Sequence, residues 1–312
     1  MSLVLDIITP VFGLIALGWL AGRFGILGPR SGEGIADFAF TLGLPALLCR
    51  TVANAHWDGL SPLAVWASFF GAAGLTWGAS ILLTRFVLRR PDADSPSIAM
   101  AAVFGNTAML GIPLALATFG TSAAAVLALV LSVHAPLLLT AGFLHHEAVA
   151  EKTTISRSRA LLQVGRDLLR NPIILGILAG ALWRVTGLEM PRALDKLLQL
   201  LAEAGIPASL ISLGLTLVGF EIKGQAGTLA GIVALKLVLM PALAGLLAIK
   251  VFALPPVAVG VVLILAAMPT GANAYLFAVR RGLAANSASG AVALGTMLAA
   301  ATVTAVLALL RP

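Results

Sequence analysis

"VFGNTAMLGIPLALATFG", residues 103–120, is apolar enough to lie in lipid, yet it carries Asn106, Thr107 and a Gly111-Ile112-Pro113 interruption. A helix in hydrocarbon satisfies its backbone internally, and each group left unpaired there costs several kcal/mol. Proline removes an amide donor, and its ring presses on the preceding turn. A segment of this kind survives only when its interruption is buried in protein or lines a wet cavity. A second stretch, "VVLILAAMPTGANAYLFAVRR" at 261–281, is built the same way, with Pro269, Thr270, Gly271 and Asn273 inside an apolar run.

The rest of the chain sets the solvent. Of its 312 residues 60% are hydrophobic and 11% charged, with a mean hydropathy of +1.03. A water-soluble domain coats itself with about a quarter charged residues, so lipid is the solvent and the fold class is an all-α integral membrane protein. The net charge of +7 does not point to nucleic acid, because the basic residues lie between apolar runs. Cys49 has no partner for a disulfide within the chain.

Runs of about 20 apolar residues, the length of one membrane crossing, number ten. They cover 3–22, 33–53, 61–86, 96–119, 122–144, 171–187, 193–220, 226–251, 256–280 and 285–310. The first is read as a retained helix, since Asp6 and no Lys or Arg precedes its apolar core, unlike a secretory signal. A polar interval near 145–170 separates five spans from five. The expected organisation is therefore a repeat over 1–146, a cytoplasmic loop at 147–169 and a second repeat over 170–312. Sorted by loop, Arg50, Arg184, Arg192, Lys196, Lys250 and Arg311 fall on one side, Lys236 falls inside a span, and the remaining thirteen of the 20 Lys and Arg fall on the other. The richer side is expected to be cytoplasmic, which leaves both termini outside.

A shift of 162 residues superposes Pro10 on Pro172, Gly18 on Gly180, Gly25 on Gly187, Pro29 on Pro191 and Pro45 on Pro207. Five spans is an odd number, so the second copy enters from the opposite face. Such a 5+5 inverted repeat is the usual construction of secondary transporters. It makes spans four and nine counterparts, with Pro113 matched to Pro269. Two broken helices that cross expose half-helix N-termini, whose free amides and partial positive charge suit an anion. Asn106, Thr107, Gly111, Pro113, Pro269, Thr270, Asn273 and Tyr275 are the candidate substrate contacts.

Ionisable residues inside spans are costly and read as functional candidates. Glu203 and Lys236 each lie about ten residues into a span, and Asp37 about one turn into another. Either Glu203 is a coupling site for H+ or Na+, or it forms a structural pair with Lys236; spacing leaves both open. Arg50 reads as a headgroup anchor, His134 as a packed residue, and His145 and His146 as solvated. No phosphate-binding G-x-x-x-x-G-K-[ST] loop, H-E-x-x-H or G-x-S-x-G elbow is present, so neither an ATP-driven motor nor an enzyme is indicated. No cofactor or bound metal is expected.

"GNTAMLGIPLALATFG" (105–120) and "AAMPTGANAYLFA" (266–278) resemble the fourth- and ninth-span motifs of the auxin efflux carrier family, whose members include plant auxin exporters and bacterial permeases. "LPALL" (44–48) and "GIPASLISLGLTL" (205–217) are similar to its second- and seventh-span motifs. The resemblance implies a scaffold of spans 1, 2, 6 and 7, and a transport unit of spans 3–5 and 8–10 that moves elevator-fashion. The substrate would lie at crossed, broken helices 4 and 9, beside Pro113 and Pro269, with Asn106 bonding a carboxylate. It also implies small organic anions as substrates, auxin-like or malonate/malate-like weak acids, a place in the bacterial inner membrane and a homodimer as a family expectation. The crossed fold is shared by bile acid/sodium symporters, so a sodium-coupled organic anion symporter is the alternative.

Overall fold

The computed structural model describes residues 2–55, 59–149, 166, 170–222 and 225–310. Among them the helices are α1 (Ser2–Arg23), α2 (Pro29–Phe38), α3 (Leu44–Ala53), α4 (Pro62–Leu82), α5 (Ser95–Val103), α6 (Ile112–Phe119) and α7 (Ala124–Val149). There follow α8 (Pro172–Val185), α9 (Arg192–Leu217), α10 (Ala226–Ala234), α11 (Met240–Leu246), α12 (Pro256–Ala266), α13 (Ala272–Arg281) and α14 (Ala285–Leu310). Seven continuous helical runs are long and apolar enough to cross a membrane: Val4–Arg23, Pro29–Ala53, Pro62–Val87, Thr107–Val149, Arg192–Leu217, Ala226–Val251 and Ala285–Leu310. The helices α8 and α12 are shorter and apolar. The fold is all-helical and membrane-embedded. Most of the expected loop at 147–169 lies outside the described residues, as do Lys152, Arg157, Arg159, Lys223 and Arg311 of the sidedness count.

Three prolines explain much of the segmentation. Pro45, Pro113 and Pro241 are each the second residue of a helix, and a five-residue π-helical turn immediately precedes each of those helices: Ala39–Gly43, Thr107–Gly111 and Leu235–Leu239. A proline ring collides with the carbonyl four residues back, and a widened turn relieves that collision without ending the helix. Proline at these places bends a span rather than breaking it.

The chain forms two compact units. One contains Met1–Gly59, Ala108–Ser132 and Asp167–Gly219; the other contains Leu60–Thr107, Val133–Arg166 and Phe220–Pro312. In the first, α1 lies along α9 and α3 along α8. The approach is backbone to backbone: a Cβ on Gly18 would stand 2.2 Å from the Ile211 oxygen, and one on Gly180 would stand 2.4 Å from the Cys49 oxygen. Where α9 crosses the turn ahead of α3, a Cβ on Gly43 would stand 2.4 Å from Gly205 Cα, and one on Gly205 would stand 2.6 Å from Gly43 Cα. Close van der Waals contact through small residues is what holds helices together in lipid. All these contacts obey the 162-residue shift. Gly43 meets its own counterpart, and the Gly18–Ile211 contact maps onto Gly180–Cys49.

Arg50 is not a free headgroup anchor. Its Nε donates to Asp195 Oδ1 at 2.6 Å and its Nη2 to Oδ2 at 3.1 Å, a two-pronged pairing that ties α3 to the first turn of α9.

In the second unit α5 is buried along its whole length and is enclosed by α4, α10, α13 and α14. The companion half-helix α12 packs on α4, α11 and α14. His145 is not solvated, contrary to the sequence reading. It lies in α7, accepts from Trp77 Nε1 at 3.1 Å, and presents Nε2 to Ser95 Oγ at 3.1 Å. Since the Ser95 hydroxyl already donates to the Asp92 oxygen at 2.7 Å, it receives the imidazole proton. The histidine therefore links α4 and α5.

Candidate functional site

Two interruptions meet in the second unit. Helix α5 stops at Val103, and Phe104 turns to extended geometry (φ −72, ψ 98). Helix α12 stops at Ala266, and the chain resumes helix only after Gly271, also extended (φ −84, ψ 154). Between them Gly105 and Thr270 pair as an isolated antiparallel bridge. The Asn106 amide donates to the Pro269 oxygen at 2.8 Å, and the Gly271 amide donates to the Phe104 oxygen at 2.9 Å. Backbone groups that each span gives up are thus paired with the other span, as a low-dielectric setting demands.

The ends of the half-helices are capped as well. Thr270 Oγ1 donates to the Ala101 oxygen at 2.7 Å, and Lys236 Nζ donates to the Ala266 oxygen at 2.7 Å. One shift of 165 residues relates Ala101 to Ala266, Phe104 to Pro269, Gly105 to Thr270 and Asn106 to Gly271. The expected match of Pro113 with Pro269 is corrected by this geometry. The fourth-span gap lies at Phe104–Asn106, and Pro113 sits beyond it in the first turn of α6, bending the helix there, whereas Pro269 stands in the ninth-span gap itself.

The sequence candidates divide accordingly. Asn106, Thr107, Pro269 and Thr270 come together at the bridge and are buried, Asn106 retaining 8% of its surface. Among the described residues the Asn106 carboxamide makes no hydrogen bond, which leaves its donors and acceptor free. Gly111 and Pro113 belong to the other unit. Asn273 is exposed on α13, and Tyr275 is half-buried with its ring edge-on to Phe220 at 5.1 Å. Asp37 is exposed on α2, and Glu203 is exposed on α9, where it accepts from Gln199 Nε2 at 2.7 Å. Glu203 and Lys236 fall in different units, so neither unit contains the pair weighed in the sequence.

Lys236 is 1% exposed and spends two donors, one on the Ala266 oxygen and one on Met240 Sδ at 3.1 Å. Its Nζ lies against Gly105, where a Cβ would stand 3.2 Å away. His134 packs edge-on to Phe104 with ring centroids 4.7 Å apart, and its Nε2 has no partner among the described residues. Gly105, Ala101 and Ala266 escaped the sequence reading because a glycine in a glycine-rich chain and two alanines in apolar runs carry no chemical mark.

Gly271 offers no side-chain cap to α13, and the first amides of that helix, on Ala272 and Asn273, have no carbonyl one turn back. These amides supply hydrogen-bond donors and a partial positive charge. Among the described residues no group of three His, Cys, Asp or Glu stands close enough to hold a metal ion.

The sequence pattern of a family described as "Membrane transport protein" matches residues 3–307. The chain is similar to a Rhizobium meliloti (strain 1021) protein named "Putative malonate transporter", with 29% identity over all of this chain and 97% of that one. It is also 27% identical to auxin efflux carrier component 8 of Arabidopsis thaliana, over 50% of this chain and 44% of that one. A third likeness is to a lysosomal cholesterol signaling protein of Mus musculus, at 25% identity over 74% of this chain and 28% of the mouse protein.

Proposed function

Because the chain belongs to the membrane transport protein family of the auxin efflux carriers, we propose that it is a secondary transporter of small organic anions, malonate-like or auxin-like weak acids, that works by elevator-type alternating access. The observation that carries this reading is the bridge between the two interruptions. It sets the uncapped first turn of α13 next to the gap that holds Asn106, whose carboxamide has no hydrogen-bond partner among the described residues. Donors without a protein partner favour an incoming carboxylate.

The finer architecture of ten spans as two inverted five-span repeats is part of the proposal. Its support is the 162-residue shift obeyed by the contacts in one unit, and the 165-residue shift obeyed by the bridge in the other. The first unit collects α1, α2, α3, α6, the start of α7, α8 and α9, while the second holds α4, α5, the rest of α7 and α10 to α14. Spans 1, 2, 6 and 7 thus share one unit, which supports a scaffold built from them, with parts of spans four and five joined to it and the bridge in the other unit as the core of the moving part. The bias of Lys and Arg supports cytoplasmic placement of the richer side, hence a bacterial inner membrane protein with both termini outside.

The test is malonate counterflow by the full chain in proteoliposomes. Asn106→Ala lowers the initial rate by about tenfold or more, as loss of a hydrogen bond to a charged group requires, while the amount of folded protein is unchanged. Equal rates would remove Asn106 from the site, and absence of flux with any small carboxylate would overturn the transporter reading. Replacement of sodium by choline leaves the rate unchanged; a collapse would instead establish a sodium symporter.

A further inference from the structure

The two half-helix ends are related by one shift, yet they are capped by different chemistry. Ala101 receives a neutral hydroxyl from Thr270, which stands in the opposite gap. By the same shift the counterpart of Thr270 is Gly105, which has no side chain to offer Ala266. Lys236 fills that role from the π-helical turn between α10 and α11, and its Nζ occupies the space that a side chain at position 105 would enter. A hydroxyl would have satisfied the carbonyl. The chain instead places a lysine amine there.

A buried ammonium without a counter-charge is expensive. The ion pairs among the described residues join Arg50 to Asp195 and Arg90 to Asp94, and Lys236 takes part in neither. Its partners are a carbonyl oxygen and a thioether sulfur, so one of its three donors remains unspent. It stands directly behind Gly105, the residue next to Asn106.

We propose that Lys236 is the fixed counter-cation of the transported anion, a specificity-determining residue that makes the site prefer a dianion over a monoanion. This rests on the bridge being the substrate site. A unit charge about 6 Å away, at an effective dielectric of about 20, is worth on the order of a hundredfold in affinity. The effect scales with ligand charge, which a capping role alone does not.

The experiment measures binding of malonate and of its monomethyl ester to the full chain in nanodiscs by calorimetry, with thermal unfolding followed in parallel. In Lys236→Met the monoester binds about a hundredfold more weakly and malonate, with its second charge, about a thousandfold or more. The double variant Gly105→Ser, Lys236→Met restores a neutral cap on Ala266. It regains thermal stability lost in the single variant while its malonate affinity stays low, and it decides the matter if the single variant does not fold. Wild-type affinity in Lys236→Met, equal losses for both ligands, or recovery of malonate affinity in the double variant would each overturn the counter-cation. Failure of that role alone leaves Asn106→Ala weakened and the transporter reading intact. If the wild type binds no carboxylate, both readings fall together.

Discussion

The two gaps share a backbone and differ in their side chains. In each, the residue before the bridge offers a carbonyl and the residue after it an amide, and the two exchange bonds of 2.8 and 2.9 Å. Around that symmetric pair, position 270 carries a hydroxyl where position 105 carries nothing, and the missing cap comes from Lys236. The difference teaches a division of labour. Main-chain pairing lets two spans stop in the membrane without stranded groups, and it needs no particular side chains. The side chains, relieved of that duty, are free to be unequal.

The same substitution in both gaps separates the two roles. A Cβ on Gly271 would stand 3.2 Å from the carbonyl carbon and oxygen of Gly105 and 3.3 Å from the Asn106 nitrogen, all backbone. Neither strand of the bridge can yield without losing its hydrogen bond, so Gly271→Ala destabilises by about 3 kcal/mol. A Cβ on Gly105 meets chiefly the far end of Lys236 at 3.2 Å, and a lysine tip can withdraw by a few tenths of an ångström. Gly105→Ala therefore costs only about 1 kcal/mol. Thermal unfolding of the two variants in one detergent checks the order, and equal losses would mean that the gaps are mechanically alike. Thr270→Val falls between them. It keeps the shape of the side chain but strips the Ala101 carbonyl of its cap, a loss of about 2 kcal/mol for a buried acceptor left unpaired.

Much of the architecture was legible because lipid makes composition decisive. Long apolar runs, prolines at one shift and small residues at packing sites all report on backbone satisfaction and close approach. Gly43 and Gly205 illustrate this: a shift found from prolines also matches two glycines that touch. The gap in span four was misplaced for a physical reason. Proline advertises a lost donor, so Gly111-Ile112-Pro113 drew the reading, yet there a π-helical turn absorbs the ring and the helix continues. The real stop, Phe104-Gly105-Asn106, is held by main-chain bonds to a segment more than 160 residues away in sequence. No local signal announces such a partner. Lys236 was visible as an expensive residue, but the end of the half-helix it caps was not, because its direction depends on a local widening of the helix.

The smallest effect tests whether the two asparagines are equivalent, since each stands near one of the two interruptions in the sequence. The bridge shift pairs Asn106 with Gly271, so Asn273 has no asparagine counterpart. Asn106 is buried beside the bridge with an unpaired carboxamide, whereas Asn273 is exposed in the first turn of α13. What Asn273 contributes to an anion is its main-chain amide, and alanine keeps that group and has the better helix propensity. Asn273→Ala therefore changes malonate affinity by less than about twofold and stability by less than about 0.5 kcal/mol, against the tenfold or greater loss of rate at Asn106. Calorimetry on both variants decides the point. A large loss at Asn273 would mean that its side chain turns inward to the ligand, making the ninth-span gap the principal recognition element and the fourth its support.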